Sequence, residues 1–247
     1  QSHKKFSMFL RKKQGRKKMI NDKNAPLRSL LSKEMILEHL KEGNIFIYPF
    51  SSKYVRTTSY DVRLGENFFE EQPFRSLNRR VLNPFDQDNI KRCWGNPNKA
   101  ITATEWMKEN GSLKNIRPED KIIILRPGET ILTHTLEFIG GRKCVTTEMS
   151  ARSSMGRIGI TVCKCAGWGD LGFCNRWTME VSNHLKDTSV VLVVGMRVAQ
   201  IAFYQVDPLS ESYSQTGGQY QTTDDADEMI KNWSPYLMLP KFNRDNY

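Results

Sequence analysis

The stretch CKCAGWGDLGFCNRWTMEVSN, residues 163–183, joins a glycine-rich turn to a predicted strand that carries one acidic side chain. Alternation gives this strand an apolar and a polar face: Trp177, Met179 and Val181 against Thr178, Glu180 and Ser182. The three closely spaced glycines allow backbone to approach a ligand, and Asp170 and Phe173 stand among them. The pattern indicates either a pocket floor with Glu180 at its edge or a solvated strand residue at that position.

The preceding stretch ARSSMGRIGI, residues 151–160, combines hydroxyl groups, a glycine turn and two guanidinium groups. Ser153 and Ser154 offer hydroxyls, and a turn around Gly156 can expose backbone N–H groups to an anion. Arg152 and Arg157 carry planar forks that match phosphate oxygens. The stretch is therefore either a phosphate-binding turn or a basic loop between two strands.

Most of the remaining chain has the pattern of β-strands broken by Pro-Gly, Gly-Gly and Asn-His turns. The predicted strands are NIFIYPF, TSYDVRLG, KIIILRPGETILTHTLEFIGG, CVTTEM, IGITVCKC, RWTMEVSN and SVVLVVGMRVAQIAFYQV. One short amphipathic helix is expected to begin after Ser32 and to end at Gly43. The pattern predicts a mainly β fold, an antiparallel barrel or sandwich.

Two segments depart from this strand pattern. Residues 78–120 are rich in Asn, Pro and Lys, and we interpret them as an inserted surface segment with one short helix. Residues 224–247 form a C-terminal extension that begins with a short acidic helix candidate, DADEMIKNW.

Length and composition favour one domain with additions. The chain has 247 residues and five cysteines, and no apolar run approaches the roughly 18 residues that a membrane span needs. An odd and scattered set of cysteines does not suit a disulfide framework. We therefore expect no membrane contact and an intracellular, reducing compartment, either cytoplasmic or organellar, with mitochondria included.

The net charge of +10 is concentrated at the N-terminus. Residues 1–33 carry eleven basic side chains and one acid, Asp22, so their net charge of +10 equals that of the whole chain. We expect residues 1–28 to be a flexible basic extension, because such a run repels itself and has little apolar surface. The arm can bind RNA or a ribonucleoprotein through residues 1–33, can be a remnant of an organelle-targeting segment, or can be a solvated tail.

The residue pattern argues against zinc chemistry and against common nucleotide motifs. None of the four histidines begins an H-x-E pattern, and no Cys-x-x-Cys occurs, so the sequence argues against a zinc nucleobase deaminase. Cys163 and Cys165 alternate along a predicted strand, and we interpret them as a small buried pair on one face. Neither a Walker loop nor a Rossmann glycine pattern is present.

Several motifs, taken in chain order, resemble the trimeric dCTP deaminase and dUTPase superfamily, on its deaminase side. The S-S-x-x-R-x-G motif appears at residues 153–159, and A-G-W-G-D-L-G-F at 166–173 is similar to a second family motif. T-M-E-V-S-N at 178–183 and V-G-M-R-V-A-Q at 194–200 match two more, while SYDVRLG (59–65) and LRPGETILTHTLEFI (125–139) resemble upstream segments. The resemblance covers residues 29–223 and implies a distorted antiparallel β-barrel, or jelly-roll, of the dUTPase-like type.

The resemblance implies a zinc-free hydrolytic deamination of the pyrimidine. Glu180 would act as general base and acid, taking a proton from the attacking water and passing it to the ring. Ser153, Arg157 and the backbone carbonyl of Ala166 would orient that water and steady the developing charge.

The resemblance also assigns substrate contacts. Arg152 and Ser154 would hold the triphosphate together with magnesium (Mg²⁺) bound through it, and Asp170 would contact the sugar 3′-hydroxyl. Phe173 belongs to the pocket floor, and Tyr220 and Gln221 to a C-terminal segment that closes over substrate. Family active sites lie between subunits, so a homotrimer is expected.

Three functions stay open at this point. The presence of both Glu180 and Asp170 favours deamination of dCTP to dUTP, with conversion of dUTP to dUMP and diphosphate as an additional activity. The first alternative is a dUTP diphosphatase, in which Asp170 activates water at the α-phosphate. The second is a non-catalytic member of the fold within a ribonucleoprotein such as an organellar ribosome, bound through the basic arm.

Overall fold

A computed structural model describes residues 29–73, 81–208, 213, 218–221 and 223–242. The basic extension expected at residues 1–28 lies outside this part. The strands are β1 (Ile45–Tyr48), β2 (Ser59–Glu70), β3 (Asn98–Lys99), β4 (Ile101–Thr102), β5 (Lys121–Leu125), β6 (Thr130–Gly141), β7 (Val145–Ala151), β8 (Ile160–Thr161), β9 (Trp168–Gly169), β10 (Cys174–Asn183), β11 (Val190–Val193) and β12 (Arg197–Gln205). The helices are α1 (Lys33–Lys41), α2 (Gln87–Trp94), α3 (Ala103–Asn110), α4 (Ser153–Arg157) and α5 (Ala226–Asn232), with 3₁₀ helices at Ser52–Tyr54 and Pro235–Met238.

Two antiparallel sheets organise these strands. Within the described residues, the larger sheet has nine strands in the order β8-β10-β6-β2-β12-β7-β9, with β1 also paired to β6 and β3 to β2. The smaller sheet has the order β11-β5-β4. The larger sheet curls into a half-barrel, so the expected mainly β, antiparallel fold is confirmed.

The strand at the centre of the site follows the predicted alternation. Trp177, Met179 and Val181 are buried in the main core, whereas Thr178 and Glu180 on the other face are partly exposed; Ser182, expected on that polar face, is buried and shares a hydrogen bond with Thr130. The indole of Trp177 donates a hydrogen bond to the Ile139 carbonyl at 2.9 Å, which fixes the ring inside the sheet. Because Trp177 is held on the core side, its neighbours in the strand must face outward.

The helix expected after Ser32 is α1, which begins at Lys33, and Gly43 follows it with a positive φ of 73°. The hydroxyl of Ser32 bonds the Glu34 carboxylate rather than a backbone N–H. The acidic helix candidate near the C-terminus is α5. Among the helices in the described ranges, none has the length and apolar composition that a membrane span needs.

The interpretation of residues 78–120 as a surface segment with one helix is wrong. Its described part forms α2 and α3, and its short strands pair with the two sheets, β3 with β2 and β4 with β5. Ile90 of α2 is fully buried together with Phe69, Met238 and Leu239. The segment is therefore part of the fold, because it shares a core with the C-terminal residues.

The expected strand through Cys163 and Cys165 is also wrong. The strand ends at Thr161, and both Cys163 and Lys164 have positive φ, 55° and 38°. This left-handed backbone turns the chain sharply. As a result Cys163 is buried and Cys165 is exposed, so the two thiols do not share a face.

Candidate active site

A cavity of about 510 Å³ opens beside the outward face of β10. The glycine-rich segment and β10 line one side of it, with Asp170, Phe173 and Glu180 among the lining residues. Trp94 of α2 lines another side, and the C-terminal segment contributes Trp233. The cavity is therefore assembled from three separate parts of the sequence.

Glu180 is the acidic group of this cavity that is most affected by burial. Its Oε2 atom is buried without a hydrogen-bond partner among the described residues. Burial raises the pKa of the Glu180 carboxyl, and its own backbone N–H and the nearby Lys164 ammonium oppose this shift only in part. A carboxyl with a raised pKa in a cavity is suited to accept and return a proton.

The structure brings five of the sequence-predicted residues to one cavity. Its lining includes Ala166, Asp170, Phe173, Glu180 and Tyr220. Asp170 is exposed and accepts a hydrogen bond from the Trp168 indole at 3.2 Å. Phe173 packs edge-on against Trp177, with ring centroids 5.5 Å apart. The side chains of Asp170, Phe173 and Glu180 therefore line the same cavity.

The serine and arginine residues of α4 lie elsewhere in the same chain. Ser153, Ser154 and Arg157 are exposed, and none of them lines the cavity beside Glu180. Their expected contact with Glu180 would have to form between neighbouring subunits. That arrangement stays a prediction.

Arg152, directly before α4, belongs to a cluster of arginines around one buried acid. Asp61 accepts hydrogen bonds from Arg56 Nε at 2.7 Å and from Arg197 Nη1 at 2.9 Å. Arg152 Nε lies 3.8 Å from the other oxygen of Asp61. Because three cations share one carboxylate, the cluster retains positive charge beside α4, as a phosphate site would need.

Gln221 is tied to its own chain. It is 4% exposed, and its Oε1 atom accepts a hydrogen bond from the Cys174 backbone N–H at 2.6 Å. Its Nε2 atom donates to the Gly172 carbonyl and to Asp224 Oδ1, both at 3.1 Å. In this conformation the Gln221 amide is occupied by protein groups, while its neighbour Tyr220 lines the cavity.

The described residues match a known family. The dCTP deaminase-like family matches residues 30–206, which is more than half of the chain. The chain belongs to the dCTP deaminase-like family. Among its relatives, the "dCTP deaminase, dUMP-forming" of Dictyoglomus thermophilum is 32% identical over 195 residues, covering 77% of this chain and 89% of that protein. The protein of the same name from Methanosphaera stadtmanae is 33% identical over 184 residues, covering 74% and 82%.

The crystal structure of 2′-deoxycytidine 5′-triphosphate deaminase from Agrobacterium tumefaciens is also similar, at 16% identity and a TM-score of 0.49. The match covers 72% of this chain and 48% of that one. The family assignment rests on the sequence matches, and it places this chain among the dCTP deaminase-like hydrolases.

Sequence reasoning missed several residues of this dCTP deaminase-like site, among them Arg176 and Trp233. Arg176 lines the cavity on the same face of β10 as Thr178 and Glu180, so the alternation that marked those residues could have found it. Trp233 comes from residues beyond the family match, and no local pattern links it to β10.

The described residues of this family member contain no group of three or more His, Cys, Asp or Glu side chains that could hold a metal ion. Mg²⁺ is expected to arrive with the triphosphate, so it would belong to the substrate. This expectation and the expected absence of zinc stay predictions.

Proposed function

We propose that this chain is a homotrimeric dCTP deaminase that converts dCTP and water to dUTP and ammonia. Conversion of dUTP and water to dUMP and diphosphate would be its second reaction, in keeping with the names of its relatives. The carrying observation is that Glu180, whose Oε2 is buried without a hydrogen-bond partner among the described residues, lines the same cavity as Asp170.

Glu180 would carry the proton transfers of the deamination. Its carboxylate accepts a proton from water as the water oxygen bonds to C4 of the pyrimidine, and it returns that proton to N3. The proton of the new hydroxyl then passes through Glu180 to the amino group, the C4–N bond breaks, and ammonia leaves. The raised pKa of Glu180 supports both halves of this exchange.

The exposed residues of α4 would complete the site from a neighbouring subunit. Ser153 and Arg157 would orient the water and stabilise the charge that develops on the oxygen and ring nitrogen bonded to C4 as this carbon becomes tetrahedral. Arg152 and Ser154 would bind the Mg²⁺-bearing triphosphate, next to the positive cluster around Asp61.

The test is incubation of the purified chain with dCTP and Mg²⁺, with ammonia and nucleotide products measured together. We expect ammonia release with dUTP or dUMP as product, and Glu180→Gln should reduce its rate by about 10²–10⁴-fold. Glu109→Gln changes an exposed glutamate of α3 that does not line the cavity, and it should retain the activity. Equal ammonia release by wild type and Glu180→Gln would contradict the proposal.

The second candidate is a dUTP diphosphatase without deaminase activity, and it rests on Asp170, exposed in the same cavity. Diphosphate release from dUTP separates the two functions. Asp170→Asn should remove this release and Glu180→Gln should spare it, whereas a chain that releases diphosphate but never ammonia is a diphosphatase alone. The ribonucleoprotein alternative depends on residues 1–33, most of which lie outside the described part, and we do not propose it further.

A further inference from the structure

The end of the cavity opposite Glu180 is built around Arg176. The Arg176 guanidinium lies 4.8 Å from the ring centroid of Phe138 and 4.4 Å from that of Trp233. Both Arg176 and Trp233 line the cavity. The two aromatic rings therefore fix the orientation of this cation at the cavity wall.

Arg176 lacks a hydrogen-bonding partner that such a position requires. Its Nε atom is buried without an acceptor, and its guanidinium forms no ion pair among the described residues. Burial lowers the pKa of Arg176, which is the direction for a cation deprived of water. Aromatic rings orient a guanidinium but accept none of its in-plane N–H groups, so one acceptor is missing.

The missing acceptor is not Glu180. The two residues are four positions apart on β10, which corresponds to about 13 Å along a strand, too far for an ion pair. Thr178 lies between them, on the same face, and also lines the cavity. The cavity thus has a cation at one end and a carboxyl group at the other, with space for a ligand between them.

The C-terminal segment holds this arrangement in place. Met229 of α5 is buried against Phe138 and Cys174, with Trp233 packed on the same cluster. Met238 and Leu239 are buried with Ile90 of the insertion. The Trp233 ring, one of the two that orient Arg176, therefore belongs to residues beyond the family match. Buried contacts before it, at Met229, and after it, at Met238 and Leu239, hold it in place.

We propose that Arg176, oriented by Trp233, is a substrate-binding residue that donates hydrogen bonds to an acceptor oxygen of the nucleotide. This inference rests on the proposed function for the identity of the ligand. The acceptor is either the carbonyl oxygen of the base or a phosphate oxygen, and the chemistry of the guanidinium suits both.

The test measures nucleotide binding by calorimetry in the Glu180→Gln background, where substrate is not consumed. Adding Arg176→Gln should weaken dCTP binding at least tenfold, and Arg176→Lys should recover only part of the loss because it lacks the planar fork. Trp233→Leu should weaken binding in the same direction, and Trp233→Phe should change it less. A loss that is equal for deoxycytidine, dCMP and dCTP identifies the base carbonyl, and a loss confined to the nucleotides identifies phosphate.

Arg142→Gln is the matched control, because Arg142 also stacks on a ring, that of Phe46, but does not line the cavity. It should leave dCTP binding unchanged. Arg176→Met, which keeps the stem that packs on the rings, covers the case in which Arg176→Gln does not fold. Unchanged dCTP affinity in a folded Arg176 variant, with or without a lower melting temperature, would overturn this inference about Arg176 but not the proposed deaminase function. A wild-type chain that neither binds nor deaminates dCTP would overturn the proposed function first.

Discussion

Arg176 and Glu180 lie on the same face of β10, and each has a buried polar atom without a hydrogen-bond partner among the described residues. Both belong to β10, whose register with β6 shifts between Arg176 and Thr178, and the buried Trp177 and Met179 on the opposite face keep the strand from rotating. The two ends of the cavity are therefore prepared before a ligand binds. Their unmet hydrogen bonding is the structural reason for expecting a ligand there.

Glu180→Gln is expected to stabilise the fold at neutral and basic pH. Burial raises the pKa of Glu180 above its ordinary 4.5, so the stability that the neutral form provides is complete below 4.5 and is lost as the pH rises through the raised value. Glutamine has no such loss, and we expect a gain on the order of 1 kcal/mol at pH 8. Thermal unfolding at pH 8 and at pH 4 tests this, and a variant less stable than wild type at pH 8 would be inconsistent with a strained carboxylate.

The deamination rate is expected to fall as the pH decreases through the raised pKa of Glu180. Only the carboxylate form can accept a proton from water, and burial favours the neutral form. The kcat/KM for dCTP, which reports groups of the free enzyme, should show its acidic inflection above 4.5 when it is measured from pH 4.5 to pH 9. A rate that stays flat to the lower limit, in a chain still folded by circular dichroism, would rule out Glu180 as the base.

Gln221→Ala is expected to destabilise the chain by about 1–3 kcal/mol. The substitution leaves the buried N–H of Cys174 and the carbonyl of Gly172 without the partners that the Gln221 amide provides. Urea unfolding measures the loss. Gln219→Ala is the control, since the backbone carbonyl of Gln219, not its side chain, accepts the hydrogen bond from Lys241 Nζ. Equal stability of the two variants would show that the Gln221 amide does not fasten this segment.

Ile90→Ala is expected to cost about 2–5 kcal/mol of stability and to raise the KM for dCTP. Ile90 is fully buried against Met238 and Leu239, and Met238 lines the cavity. Loosening this contact should displace the cavity wall near Met238 but leave the position of Glu180 largely unchanged. The kcat should therefore change less than the KM. Ile101→Ala, at a position that is 44% exposed, serves as control. A destabilised variant with unchanged KM would show that the packing of Ile90 does not affect dCTP binding.

The alternation of β10 explains why the strand and Glu180 could be predicted from sequence. A period of two is a local property, so Trp177 and Glu180 fall on opposite faces wherever the strand lies in the fold. The burial of Ile90 could not be predicted in this way, because its partners Met238 and Leu239 are distant in sequence. Short strands such as β3 and β4 also carry too few residues for a periodic pattern.

Two other features depend on geometry that the sequence does not display. The positive φ of Cys163 and Lys164 is unusual for residues other than glycine, so a continuous strand was the reasonable expectation there. The stacking of Trp233 on Arg176 depends on where the C-terminal segment packs. The site is thus predictable at its acidic end and unpredictable at the end that the C-terminal segment completes.

The most direct test of the account is ammonia release from dCTP with Mg²⁺, by wild type and by Glu180→Gln side by side. We expect stoichiometric ammonia from wild type and a rate reduced by about 10²–10⁴-fold in the variant, the range for loss of a general acid–base group. Retained dCTP binding by the variant would show that the pocket is intact. Undiminished ammonia release by Glu180→Gln, or none from a wild-type chain that binds dCTP, would contradict the assignment of Glu180 as the catalytic base.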